Sequence, residues 1–250
     1  MKRFNSGIYR SRIFTTEFHG GKTIFILKVL KLRVLRGYLF FLLLFTGLTH
    51  VQAQEVFRHP LGPQTTGAFR TTCSRLAEHP FIRGNFEQEK TLSRLNRSLK
   101  SSGNFIIAAD LGMVWDTVAP FPSTLTLGRD FMIQSRPGGQ KTVLSAQGNE
   151  TFLRMAEVIS TIFSGNAQGL LDNFTVYYSD NGDTLAWEMG LSPLDTAIHS
   201  FVQKIVMQGD TAIRSIHLYE QNGDSIKYLL SNHRYPAELN AHEKAFFSYP

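Results

Sequence analysis

Hydrophobic and polar positions along residues 54–250 change period three times. Thr65 or Thr66 is placed to cap a helix on which Phe69, Cys73 and Leu76 form one stripe, and His79-Pro80 ends it because proline cannot continue a helix. From Ile82 to Gln147 the period falls towards two. Short strands are expected at 82–92, 98–109, 112–118, 123–128, 131–136 and 141–146. Pro120 and Pro122 cannot donate to a central ladder, Gly128-Arg129-Asp130 and Pro137-Gly138-Gly139 supply turn chemistry, and Ser101-Ser102-Gly103 marks a bulge. Strands this close in sequence must be antiparallel, since a parallel crossover needs a dozen or more residues. A helical period returns over 149–164, with Phe152, Met155, Ala156, Ile159 and Phe163 on one face, Asn149 or Thr151 as cap and Gly165 just past the end. Three further hairpin connections follow: 173–179 into 184–190 across Asp180-Asn181-Gly182-Asp183, 200–207 into 211–220 across Gln208-Gly209-Asp210, and then 225–232 after Gln221-Asn222-Gly223-Asp224. The tail 236–250 reads as irregular. Eleven strands and two helices predict one mostly antiparallel, strongly curved sheet with helices on one side.

Several strands are apolar on both faces. Leu125 and Leu127 share one face of 123–128; Phe201, Ile205 and Met207 alternate with Val202 and Val206; Ile216 and Leu218 alternate with Ile213, His217 and Tyr219. A sheet wetted on one side alternates more cleanly, so one face is apolar and lies under the helices. That pattern by itself favours an ordinary filled core, with the alternative of a cavity able to shelter acyl chains at about 0.8 kcal/mol per buried methylene.

The chain has 250 residues and a formal net charge of +6. Nine of its 26 basic residues but only one of its 20 acids, Glu17, lie in residues 1–53, so the rest holds 17 bases against 19 acids, a net charge of −2. The basic balance belongs to the leader, and the folded part has no electrostatic footprint for nucleic acid. Residues 1–53 read as a secretory signal: bases up to Arg36, an apolar run from Tyr38 to Leu48, and Val51-Gln52-Ala53 before a cut at Gln54. A run of eleven residues falls short of the roughly 20 that cross a bilayer. The long basic stretch is also consistent with a later translation start, near Val34. Residues 54–64 are expected to form an extended lead-in, and residues 65–250 a single domain. The one cysteine, Cys73, is read as a small core residue rather than a reactive thiol.

Signals for catalysis are sparse. Eight histidines show no HExxH spacing, no GxSxG elbow occurs, and Gly20-Gly21-Lys22-Thr23 has Thr16 where a phosphate loop needs glycine. Glu87 and Glu89 share a strand face with Arg83, Asn85 and Thr91, which reads as a solvated outer surface rather than an acid/base pair. Asp180, Asp183, Asp210 and Asp224 sit at hairpin tips, where turn geometry favours aspartate.

In order along the chain come Gly84-Asn85-Phe86-Glu87-Gln88-Glu89-Lys90, Ser102-Gly103-Asn104-Phe105, Gly112-Met113-Val114-Trp115 and Pro120-Phe121-Pro122-Ser123-Thr124. This block resembles the LolA-like family of periplasmic outer-membrane lipoprotein carriers, with its F-x-Q-x-K strand, G-x-F strand and W-x-x-x-x-P strand end. The resemblance implies a mainly β fold with helices, an incomplete antiparallel β-barrel of about eleven strands with an α-helical lid. It implies a periplasmic carrier moving acylated lipoprotein from inner to outer membrane, loaded by an inner-membrane ABC-type or other exporter and unloaded at an outer-membrane acceptor. Neither cofactor, metal nor covalent chemistry is implied, nor any nucleic-acid partner, and a monomer is expected. On this reading Phe86, Phe105, Ile107, Trp115, Leu125, Leu127, Trp187, Met189 and Ile205 line the lipid cavity, and Phe152, Met155, Ile159 and Phe163 face it from a lid. One departure stands out. Where familiar carriers have Arg-Pro before the strand's tryptophan, this chain has Ala109-Asp110 before Trp115, which leaves room for a glycolipid or polyene-type lipid as cargo. A periplasmic scaffold module with a filled core and a hydrolase acting on envelope lipid are the competing readings.

Overall fold

In the computed structural model the residues described are 55–145, 150–180, 182 and 185–248. The leader, its cleavage position, the cap at Asn149 and most of the 181–184 turn lie outside them, as do the side chains of Phe152 and Met155. Eleven strands form one antiparallel sheet: β1 Phe81–Leu92, β2 Arg97–Ala108, β3 Gly112–Ala119, β4 Ser123–Gly128, β5 Phe131–Ser135, β6 Thr142–Ser145, β7 Phe174–Asp180, β8 Trp187–Pro193, β9 Val202–Gly209, β10 Ile213–Glu220 and β11 Ser225–Arg234. Their order is β6-β5-β4-β3-β2-β1-β11-β10-β9-β8-β7, so two meanders meet where β1 pairs with β11, and the sheet stays open between β6 and β7. The register shift at Ser102/Gly103 is the bulge that the sequence marks.

Pairing register sorts side chains onto two faces, because residues directly opposite point the same way. Phe86 faces Leu230, Gly103 follows on β2, and Phe105 lies opposite Trp115, which lies opposite Leu125. On the other meander Tyr228, Ile216, Met207, Met189 and Tyr178 form one continuous row. Trp115 of β3 and Tyr228 of β11 meet edge to face at 5.2 Å between ring centroids. Three strand spacings separate them, about 14 Å along a flat sheet. The sheet must therefore curl, and this apolar face is its concave side.

Five helices among the described residues accompany the sheet: α1 Thr66–Leu76, α2 Glu150–Ser164, α3 Ala167–Asn173, α4 Thr196–His199 and α5 Ala241–Phe246. Helix α1 buries Phe69, Thr72, Cys73 and Leu76 as one stripe. It lies on the concave side, where Phe69 packs edge-on against Tyr178 and the Thr72 and Tyr178 hydroxyls are 2.8 Å apart. Burial pushes the Cys73 thiol up to about 12, so it stays protonated and packs as a small apolar group. Gly165 ends α2 at φ +64, and a Cβ there would lie 2.5 Å from the Cys73 carbonyl oxygen, so only glycine lets α1 and α2 close together. No helix among the described residues is long and apolar enough to cross a membrane.

Some expected elements need correction. The lead-in is not extended throughout: Glu55–Arg58 forms a 3-10 turn that drops Val56 and Phe57 onto Gly190 on the convex face, where a Cβ would be 3.0 Å from both side chains. Residues 59–61 then pair along the free edge of β7, with Leu61 N–H donating to the Val176 carbonyl and Tyr178 N–H to that of His59. This covers a sheet edge that would otherwise be open to pairing. The tail is not irregular either, since α5 is fixed by a capping box between Asn240 and Glu243. Helices α3 and α4, capped by Asn166 and Asp195, interrupt segments read as loop. They are too short for periodicity to declare them.

Candidate functional site

A cavity of about 330 Å³ lies between the concave sheet face and α2. Its floor is Ile107, Met113 and Leu127, consecutive partners across β2, β3 and β4. Leu153, Ala156, Ile159 and Phe163 of α2 roof it, at the spacing of one helix face. Gly112 and Gly128 oppose each other beside this floor, and Ala108 and Ala109 leave the wall low. Leu153 is 45% exposed and marks the mouth, with Arg129 and Glu157 on the lining.

The rest of the concave face is filled. Phe86 stacks on Trp115 at 4.3 Å, Phe105 lies 5.9 Å from the same indole, and all three are at least nine-tenths buried. Trp187 packs over Gly209 and donates its indole N–H to the Asp210 carbonyl at 2.8 Å. Met189 and Ile205 are buried beneath α1's side of the sheet, and Leu125 is half-buried. Of the nine expected wall residues, all nine share the concave face, but only Ile107 and Leu127 open onto the cavity. From the expected lid, Ile159 and Phe163 line it, both half-buried.

Polar chemistry on this face is sparse and mostly matched. Lys90, fully buried, donates to Glu220 at 2.9 Å, and Asp224 lies close enough to act on both. Burial pulls the Lys90 ammonium below and pushes the Glu220 carboxyl above its ordinary value, opposing the pairing that favours the charged forms. Burial likewise pushes the Tyr228 hydroxyl up. The Trp115 indole N–H is buried without a partner among the described residues. Glu87 and Glu89 point to the outer face, as expected, where Glu89 meets Lys100 at 3.8 Å.

The roof is tied down loosely. Arg154 of α2 reaches Glu157 at 3.7 Å and Asp195 before α4 at 3.9 Å, with its side chain 58% exposed. Exposed pairs of this kind contribute about 0–1 kcal/mol each, so α2 is held mainly by its buried apolar side chains, Ala156, Val158 and Ile162. Sequence reading did not name Met113, Leu153 and Ala156 among the site residues. Alternation from Trp115 would have reached Met113, and the helix stripe already contained Ala156.

A family model described as outer membrane lipoprotein carrier protein LolA-like matches residues 69–245. No curated protein matches the chain. Among solved structures it is similar to a DUF1329 family protein from Desulfovibrio piger at 8% identity, covering 73% of this chain and 95% of that one with a TM-score of 0.42. A LolA superfamily protein from Nitrosomonas europaea shows 10% identity, 73% and 97% coverage and a TM-score of 0.40. LprF from Mycobacterium bovis shows 7% identity, 73% and 98% coverage and a TM-score of 0.36.

Proposed function

Because this chain belongs to the LolA-like family of outer membrane lipoprotein carriers, we propose that it ferries an acylated lipoprotein, or a related acylated lipid, across the periplasm with the acyl chain housed under α2. The 330 Å³ apolar cavity supports this reading above any other observation, since ligand pockets run from about 300 to 1,000 Å³. An empty carrier covers the floor with α2; a loaded one covers it with cargo. Net affinity is then the difference between two burials, and it stays low enough for handover to an outer-membrane acceptor. Neither step needs a nucleophile or a metal. The leader 1–53, cut near Ala53, delivers the chain to the periplasm, where an ABC-type or other exporter loads it.

Ala109 lines the cavity wall and Asp110 is exposed, 3.4 Å from Arg129. An acid therefore occupies a rim position where familiar carriers place a base and a proline, which favours a different client, such as a glycolipid. Mass spectrometry of lipid extracted from the protein purified from its own envelope, with uptake of an apolar fluorescent probe, tests the proposal. Bound acyl lipid and saturable uptake are expected. Finding neither would leave a filled scaffold as the better reading, and turnover of an acyl ester would point to a hydrolase.

A further inference from the structure

Helix α1 sets beside the cavity a cation two of whose nitrogens have no partner among the described residues. Arg75, in its last turn, is half-buried; its Nε and Nη1 are shut off from solvent and make no hydrogen bond among the described residues. Buried donors without acceptors are costly, and a guanidinium presents them as a rigid fork suited to carboxylate or phosphate oxygens. The contrast with Arg214 is direct, since that side chain is held by Asp210 at 3.0 Å through both carboxylate oxygens.

Arg75 lines a cleft of about 20 Å³ together with His79, His233 and Tyr235, and no acidic side chain among the described residues contributes to the lining. Such a volume admits about one water, so the cleft as it stands is a closed end rather than a second chamber. Ile107 and Phe163 line both this cleft and the larger cavity. They form the partition between apolar space and the unmatched cation.

We propose that Arg75 anchors the anionic head group, phosphate or carboxylate, of an acylated ligand whose chain lies under α2, with Phe163 displaced between the two chambers. This rests on the carrier reading and adds to it a charge preference. A ligand with both parts satisfies in one molecule the apolar wall and the two guanidinium nitrogens that the described residues leave without an acceptor.

Displacement of a fluorescent fatty-acid probe by dodecanoic acid, dodecyl phosphate and methyl dodecanoate decides the matter. The acid and the phosphate are expected to displace at about tenfold lower concentration than the ester, or better, the gain typical of hydrogen bonds to a charged group. Arg75→Gln should erase that gap with ester binding unchanged, which also serves as the folding control; Arg75→Lys should keep part of it. Equal potency of acid and ester in the unaltered protein, or a gap that survives Arg75→Gln, overturns the anchor while ester binding leaves the carrier intact. Displacement by inorganic phosphate at the potency of dodecyl phosphate would reveal a free-anion site and overturn the head-group assignment. If none of the three dodecyl compounds displaces the probe, the carrier reading fails, and the anchor with it.

Discussion

Ala156 sits in the middle of the cavity roof and is 9% exposed, so enlarging it fills the space from above without disturbing the sheet. At about 30 Å³ per water-sized group, 330 Å³ holds on the order of ten methylenes. Burying ten methylenes is worth about 8 kcal/mol gross, and association costs of at least about 4 kcal/mol leave an unaided chain bound near the millimolar range. The slope is more telling than the total. Each added carbon should tighten binding about fourfold until the chain reaches about ten carbons, and then the curve should flatten. Ala156→Phe introduces a ring of about six carbons, so the plateau should move to about four or five carbons and longer chains should lose up to about 5 kcal/mol. The melting temperature should hold or rise, because the ring enters empty apolar space instead of a packed core. Calorimetric titration of both proteins with a homologous series of straight-chain acids reads slope and plateau together. Identical plateaus in the two proteins would refute the reasoning, since the chain would then lie somewhere other than under α2.

Three further outcomes follow from the same geometry. Ile159→Asp puts a charge on the roof where it faces Leu127 and Met113; probe uptake should vanish while the β-sheet circular dichroism signal stays, and retained uptake would remove α2 from the binding site. Lys90→Met strands the Glu220 carboxylate, 8% exposed, and should lower the urea-unfolding free energy by about 3–5 kcal/mol, with most of it returned in Lys90→Met/Glu220→Met; a single-variant loss under about 1 kcal/mol would contradict this. His217 on β10 is held down at about 4 by burial first and by Lys227 and Lys204 after it. The unfolded chain, titrating near 6.5, then binds the extra proton between those values, so stability should rise by about 2 kcal/mol from pH 4 to pH 6.5 and level off above. Urea titrations of His217→Gln should show that slope reduced; an unchanged slope assigns it to other groups.

Much of the architecture was legible because it is written in period and punctuation. Asn222-Gly223 turns with Gly223 at φ +88, Ser102-Gly103 bulges, and the nine inward residues fall on one face because alternation survives wherever the ladder is regular. Helices α3, α4 and α5 escaped because fewer than two turns cannot establish a period, although Asn240-x-x-Glu243 carries a capping signature in its residue types and spacing alone. The 3-10 turn escaped for another reason: Val56 and Phe57 bury against Gly190, more than a hundred residues away, and no local pattern encodes that contact. Lys90 shows the limit most clearly. It continues the inward alternation of Phe86 and Gln88, yet a lysine there becomes intelligible only once β10 delivers Glu220.

Whether the interior was full or hollow lay beyond pattern, and the structure divides the answer by position. Around Trp115, midway along β3, the large rings of Phe86, Phe105, Trp115 and Tyr228 occupy the concavity and fix the curl of the sheet. Where β3 begins and β4 ends, the inward residues are Met113 and Leu127, flanked by Gly112 and Gly128. Smaller side chains under a helix with weak polar ties leave space there that the aromatic half denies. A rigid packed half can hold the wall's shape while α2 yields, and a flexible methionine on the floor can follow chains of differing form. The same division explains why enlarging Ala156 should change chain-length preference, whereas loss of Lys90 should change stability: the two substitutions act on halves of one sheet that do different work.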